Sequence, residues 1–347
     1  MRTTVKDVAK AVGLSTTTVS LVLNNKPNRI PEATRKLVLK AAKELNYRPN
    51  HIAVSMVTKK THTIGLILPD ISNLYFSELA KVIEEQCHKY GYNVLYGNTN
   101  GTLEHEFEYL NLFVDRSVDA IIMTVSSNYS EKEVNRLYEI AETNNVPIMM
   151  VDRALDDPRF MSVLLDQKLG GFLATSYLIN LGHKKIACIT GPKDLRISIE
   201  RLEGYKSALE DAGLPFDRSL VIEGDFSVDS GSRALSYILG QNATAVFSLN
   251  DMMAIGVYRE CRRYHLNIPQ DLSIVGFDDI FIDEFLEPPL STIAQPVQEI
   301  GKYAVKKMMS VLEEKKNLCT DAGNTKIFKP ALKVRGSAIK FMEKKQI

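Results

Sequence analysis

Thr4-Val-Lys-Asp-Val-Ala-Lys-Ala-Val-Gly-Leu-Ser-Thr-Thr-Thr-Val-Ser-Leu-Val-Leu-Asn24 is the stretch on which the reading of this chain turns. Val5, Val8, Ala9 and Val12 recur at helical spacing, and Thr4 with Asp7 makes a capping box ahead of them. Gly13 then ends the helix, because a left-handed backbone is easiest there. Ser15 caps a second helix whose Val19, Val22 and Leu23 point back at the first. Thr16, Thr17, Ser20 and Leu21 are left facing outward. Two short helices joined by a glycine turn, the second presenting small hydroxyl side chains, form the pattern of a helix-turn-helix.

A third helix is expected from about Glu32 to Asn46, opened by Pro31. Leu37, Val38, Ala41 and Leu45 make its inner stripe, and Lys36, Lys40 and Lys43 lie outside. Residues 1–60 hold twelve Lys/Arg against three Asp/Glu, while the remaining chain holds 31 against 39, so the net charge of +1 conceals a basic head on an acidic body. That asymmetry points to a polyanionic partner for the head alone. Pro49 breaks the third helix, and Asn50 can cap a short new one through Val57. Seven or eight residues rarely hold a helix unaided. Residues 49–61 therefore read as a linker that orders only against another surface, after a head spanning 1–48.

From Thr63 the rhythm changes to apolar strands alternating with amphipathic helices. Strands are expected at 64–68, 93–96, 120–124 and 147–151, then at 162–165, 186–190, 220–222, 245–249 and 274–277. Two βα series of this length imply α/β architecture with two doubly wound parallel-sheet lobes. The helix at 297–314 should cross back to the first lobe, and a strand near 331–335 should belong to the second. The expected lobes are 62–161 plus about 293–324, and 162–292 plus about 325–341.

Cys87, Cys188, Cys261 and Cys319 have no paired or metal-ligand spacing and read as free thiols in a reducing bacterial cytoplasm. No apolar leader and no run of 18 apolar residues suggests export or a membrane. No nucleophile elbow, phosphate-binding glycine loop or zinc motif appears, and the six His lack ligand partners, so neither an enzyme nor a cofactor or metal is expected.

Parallel sheets bind ligands beyond the carboxyl ends of their strands. Asp70 to Phe76, Asp152-Arg153, Asn250-Asp251 and Asp278-Asp279 stand at such ends. Carboxylates, a guanidinium and carboxamides beside Tyr75, Phe76 and Phe226 suit a polyhydroxyl ligand: planar polar groups pair with hydroxyls, and aromatic faces cover the C–H faces of a sugar.

Val5-Lys-Asp-Val-Ala9, Ser15-Thr-Thr-Thr-Val-Ser20, Leu45-Asn-Tyr-Arg-Pro-Asn50, Asp70-Ile-Ser-Asn73, Val275-Gly-Phe-Asp-Asp279 and Gln295-Pro296 follow one another over about 290 residues. On these motifs the chain resembles a LacI-family transcriptional regulator. The resemblance implies a homodimer reading a near-palindromic double-stranded operator through the second helix of each head. It implies base-edge contacts from Thr16, Thr17 and Leu21, phosphate-side positions at Ser15, Thr18, Asn24, Asn25 and Lys26, and further DNA-facing positions at Thr4, Ser20, Tyr47, Asn50 and Ala53. The linker would be a hinge helix folding on DNA, with Met56 as a minor-groove wedge. Leu21 stands where a basic side chain is common, so apolar contact with a thymine methyl would replace a hydrogen bond. Val54 and Val57 replace frequent basic residues of the hinge, and Met56 a leucine.

The lobes resemble type I periplasmic sugar-binding proteins, especially ribose-binding ones. The implied effector contacts are Asn73, Tyr75, Phe76, Asp152, Arg153, Arg201, Phe226, Asn250, Asp278 and Gln295. Only Tyr75 departs, from phenylalanine. Purine-responsive relatives differ at several of these positions, including an aromatic residue where Arg153 stands. The expectation is a ribose-operon repressor, or one answering a similar aldose, released from DNA by the sugar. The alternatives are a regulator answering a nucleobase or a phosphoprotein partner.

Overall fold

A computed structural model describes residues 3–23, 30–47, 60–126, 129–314 and 325–342. The chain divides into two units, Met1–Thr61 and His62–Ile347. In the first, α1 (Val5–Val12), α2 (Thr16–Leu23) and α3 (Glu32–Glu44) surround a small core of Val8, Ala9, Val19, Val22, Val38 and Ala42. The capping box forms: the Thr4 N–H donates to the Asp7 carboxylate at 2.8 Å, and the Asp7 N–H returns to the Thr4 hydroxyl at 3.4 Å. Gly13 takes φ 67° at the end of α1, a conformation that costs glycine least. Ser15 Oγ accepts the Thr18 N–H at 3.1 Å.

The inner stripe of α3 differs from expectation. Val38 and Ala42, one turn apart, are buried, whereas Leu37 and Leu45 are exposed. Two short helices offer only a narrow groove, and a stripe of small residues fills it.

The second unit runs β1 (Thr63–Leu68), α4 (Leu74–Lys89), β2 (Asn93–Asn98), α5 (Leu103–Asp115), β3 (Ala120–Met123), α6 (Glu131–Thr143), β4 (Ile148–Val151) and β5 (Met161–Leu165). It continues with α7 (Gln167–Asn180), β6 (Ile186–Thr190), α8 (Arg196–Asp211), β7 (Val221–Glu223), α9 (Val228–Gly240), β8 (Ala245–Ser248), α10 (Asp251–Arg263) and β9 (Ser273–Asp278). It closes with β10 (Ser291–Ala294), α11 (Val297–Glu314), β11 (Thr325–Phe328) and β12 (Ala331–Lys333). Two six-stranded sheets result, in the orders β11-β5-β4-β3-β1-β2 and β12-β10-β9-β8-β6-β7. All pairings are parallel except β10 with β12. Strands such as β3, β4 and β6 are buried at every position because helices cover both faces, which explains why they read as unbroken apolar runs.

The lobe boundaries are corrected in three places. β5, expected to open the second lobe, pairs with β4 in the first sheet, Met150 opposite Ser162. β11, also expected in the second lobe, pairs with β5. β10, at the expected boundary and not foreseen as a strand, pairs with β9 in the second sheet. The two sheets thus have the same strand plan, each completed at one edge by a strand from the C-terminal part of the chain. An apolar run shows that a strand is buried, not which of two like sheets it extends.

Cys87, Cys188 and Cys261 are buried free thiols, and burial pushes Cys87 and Cys261 up to about 12. Cys319 lies outside the described residues. His183 is buried, its Nδ1 against the Thr244 hydroxyl at 2.9 Å and its Nε2 against the Ile339 carbonyl at 3.1 Å, so it ties down the C-terminal segment. Among the described residues no helix is long and apolar enough to cross a membrane, and no His/Cys/Asp/Glu cluster could hold a metal.

Candidate functional site

In the head, Ser15, Thr16 and Thr17 are exposed, and Thr18, Ser20 and Leu21 are half-buried along α2. The Thr4 side chain is engaged with Asp7 as the cap of α1. Tyr47 packs, half-buried, against the head core and donates its N–H to the Ala42 carbonyl at 2.8 Å. Lys36, Lys40 and Lys43 are exposed on α3. Asn24, Asn25, Lys26, Asn50, Ala53 and Met56 lie outside the described residues.

In the second unit the sheets deliver polar groups from their carboxyl ends. Asn73 caps α4 after β1, its carboxamide oxygen accepting the Tyr75 N–H at 3.1 Å. Asp152 and Arg153 follow β4, Phe226 follows β7, Asn250 caps α10 after β8, Asp278 ends β9 and Gln295 follows β10. Arg201 comes from the middle of α8. All ten of these side chains, with Ile197 of α8, line a single small cavity between the two sheets. Ile197 has no signal in the sequence; its helical spacing marks it only as a core residue.

The cavity carries two carboxylates and two guanidinium groups. Arg201 is buried, donates Nε–H to Gln167 Oε1 at 2.7 Å and also donates to the Leu249 carbonyl. Its guanidinium lies 3.6 Å from the Phe277 ring centroid and 4.0 Å from Asp278. The carboxylates near Arg201 in sequence, Glu200 and Glu203, pair with Arg196 and Lys168 instead. Arg153 sits 3.7 Å from Asp152, with the Phe76 and Phe226 rings 5.4 and 5.8 Å away. Asp278 accepts from Gln295 Nε2 at 2.7 Å, and Asn250 Nδ2 donates to the Phe226 carbonyl at 3.0 Å.

Burial pushes both Asp152 and Asp278 up, and the neighbouring arginines pull them back. Burial likewise works against the charge of Arg153 and Arg201, which the two carboxylates support. The site is a balanced set of opposite charges, a poor host for a further net charge. The Tyr75 hydroxyl and the Asp152 carboxylate lie within reach of each other, and among the described residues Arg153 Nε and Gln295 Oε1 are buried there with no hydrogen-bond partner. Native interiors rarely leave such groups alone, and together they form a template for donors and acceptors on something else.

The backbone is special at the same places. Asp152, Phe226, Asp278 and Asp279 have φ of 68°, 67°, 131° and 62°. Non-glycine residues in that region are strained and gather where a side chain must be aimed. Gly191, after β6, accepts the Phe226 ring edge so closely that any Cβ would collide with it.

Comparison with known proteins agrees with this anatomy. Residues 4–50 match the family described as bacterial regulatory proteins, lacI family, and residues 175–338 match a periplasmic binding protein-like domain. The chain is 36% identical over 315 residues to the HTH-type transcriptional repressor PurR of Vibrio atlanticus, covering 90% of this chain and 92% of that protein. Among solved structures, it is similar to a LacI family transcriptional regulator from Enterococcus faecium with bound ribose (TM-score 0.72, 30% identity, covering 81% of this chain and all of that one). It is also similar to the lac repressor dimer bound to operator and an anti-inducer (TM-score 0.86, 25% identity, covering 98% of this chain and all of that one). The helix-turn-helix head, the paired parallel sheets and these relatives place the chain in the LacI family of DNA-binding transcriptional regulators, which are not enzymes.

Proposed function

We propose that this protein represses a sugar-utilisation operon as a homodimer and is released from its operator by a small neutral aldose, D-ribose first, bound between its lobes. The observation that carries the reading is the cavity of ten polar and aromatic side chains, with balanced charge and with Arg153 Nε and Gln295 Oε1 buried there without partners among the described residues. Hydroxyls both donate and accept, so a polyol can satisfy a phenol, a carboxylate, a guanidinium and a carboxamide together. The balance of two Asp and two Arg disfavours a phosphorylated sugar. The ribose-bound structural relative supports the same ligand class.

On this reading Thr16, Thr17 and Leu21 face base edges, and Ser15 and Thr18 lie toward phosphates. Dimerisation is supported by the dimeric, operator-bound relative, and Phe281 and Phe285, 64% and 79% exposed, offer apolar surface to a partner. Release requires the sugar to prefer the DNA-incompetent arrangement of the lobes. The second reading, a nucleobase ligand, is favoured by the sequence relative named PurR. Fluorescence anisotropy on operator fragments selected from random duplexes separates the two. D-ribose should weaken binding at least about tenfold, a coupling within the usual allosteric range. No response to D-ribose removes it as effector, and tightening by hypoxanthine or guanine alone moves the site to a nucleobase.

A further inference from the structure

Behind Asp278, two more carboxyl groups are buried together. Asp251 opens α10, and Asp283 lies in the 3-10 turn Phe281–Phe285; neither has exposed surface. The Asp251 carboxylate is fully engaged. Its Oδ1 accepts the Thr292 hydroxyl at 2.6 Å, and its Oδ2 accepts the N–H groups of Asp279 at 2.7 Å and Ile280 at 3.3 Å. Gly276 of β9 leaves room for it, since a Cβ there would collide with Asp251 Oδ1. The first turn of α10 also favours an anion at this position.

Asp283 is the opposite case. Neither of its oxygens meets a protein donor among the described residues, and the Asp251 carboxylate lies within hydrogen-bonding reach. Arg335, the cation facing it, is committed to Asp279 at 2.7 Å, Glu284 at 3.2 Å and the Leu290 carbonyl at 2.9 Å. Asp278 adds the field of another carboxylate. Two carboxyl groups this close in a buried site are not both ionised, and a proton on Asp283 supplies a donor between them.

We propose that Asp283 is held as a neutral acid hydrogen-bonded to Asp251, and that this acid pair is the positioning device for the strained turn that aims Asp278 into the effector cavity. Asp251 grips the backbone of the two residues after Asp278, where φ is 131° at Asp278 and 62° at Asp279. Asp283 lies in the turn that follows, so its proton fastens that turn to α10. Burial and then the neighbouring Asp251 charge push Asp283 up to about 11, which keeps the proton in place at neutral pH. The positioning role rests on Asp278 contacting the effector; the protonation does not.

Full-length wild type, Asp283→Asn and Asp283→Leu provide the test, with D-ribose as the probe and infrared spectroscopy as an independent readout. The wild-type-minus-Asp283→Asn difference at neutral pH should contain a protonated-carboxyl C=O band that shifts in deuterium oxide. Asp283→Asn, which keeps a donor, should bind D-ribose within about threefold of wild type, and Asp283→Leu, which has none, should lose at least about tenfold with its circular dichroism unchanged. Absence of the band overturns the neutral acid, and wild-type ribose affinity in folded Asp283→Leu overturns the positioning role. If Asp283→Leu does not fold, Thr292→Val, which removes another Asp251 contact, replaces it with the same expected loss. If wild type ignores D-ribose, the sugar reading fails and the infrared band alone decides the acid pair.

Discussion

Two arginines in one cavity have different duties, and the difference is measurable. Arg201 is held by Gln167, the Leu249 carbonyl and the Phe277 face, so Arg201→Met leaves Asp278 buried without its cation. A loss of about 3–5 kcal/mol in unfolding free energy is expected, as for other broken buried pairs. Arg153 has an Nε without a hydrogen-bond partner among the described residues and sits beside Asp152 and two rings. Arg153→Ala should cost about 2–3 kcal/mol of effector binding, and it also lowers stability because Asp152 loses its nearest cation; calorimetric titration and thermal melting of both variants measure the two effects. A third residue reports on pH. Glu106 is buried, accepts the Ser126 N–H at 3.1 Å, and is pushed by burial from 4.5 up to about 7. A raised pKa in the folded state means that stability is full below about 4.5 and is lost as pH rises through about 7. Glu106→Gln should flatten that fall, worth about 3 kcal/mol, and melt higher than wild type at about pH 8.

At the level of elements, the ends of strands and the starts of helices do the positioning. Asn73, Ser227 and Asn250 each cap a helix beginning just beyond a strand, and the neighbouring residues aim into the cavity. The glycine after β6 is the least forgiving point. Gly191→Ala should push the Phe226 ring away from Arg153 and lower effector affinity roughly tenfold with little change in head stability, a magnitude typical of a lost aromatic contact; ribose titration of the variant checks it. Much of this was legible: strand ends were visible where apolar runs gave way to Asp, Asn and Arg, and the capping box of α1 was visible as Thr4 and Asp7. Leu37 and Leu45 misled, because apolar character in a short amphipathic helix does not say which of two adjacent stripes faces inward. Gln167 and Asp283 gave no signal. Their partners are 34 and 32 positions away, and their importance lies in what a buried side chain lacks.

Across the whole molecule the net basic excess lies in residues 1–60, and the rest carries a net negative charge. Operator affinity should therefore fall steeply with salt, by about a thousandfold or more between about 50 and 200 mM if six or more phosphates are neutralised, whereas effector affinity should barely respond, since its charges are buried in pairs; anisotropy and calorimetry over that range measure both. Residue order alone determined the helix-turn-helix head, the alternation that makes two parallel sheets, and the residue types waiting at their strand ends, because caps, turns and periodicity act over a few positions. The tertiary structure alone decided which sheet takes β5, β10 and β11, which stripe of α3 is buried, and which carboxyl groups must share a proton. Those outcomes depend on desolvation and on partners distant in the chain, and both exist only once the sheets have closed around them.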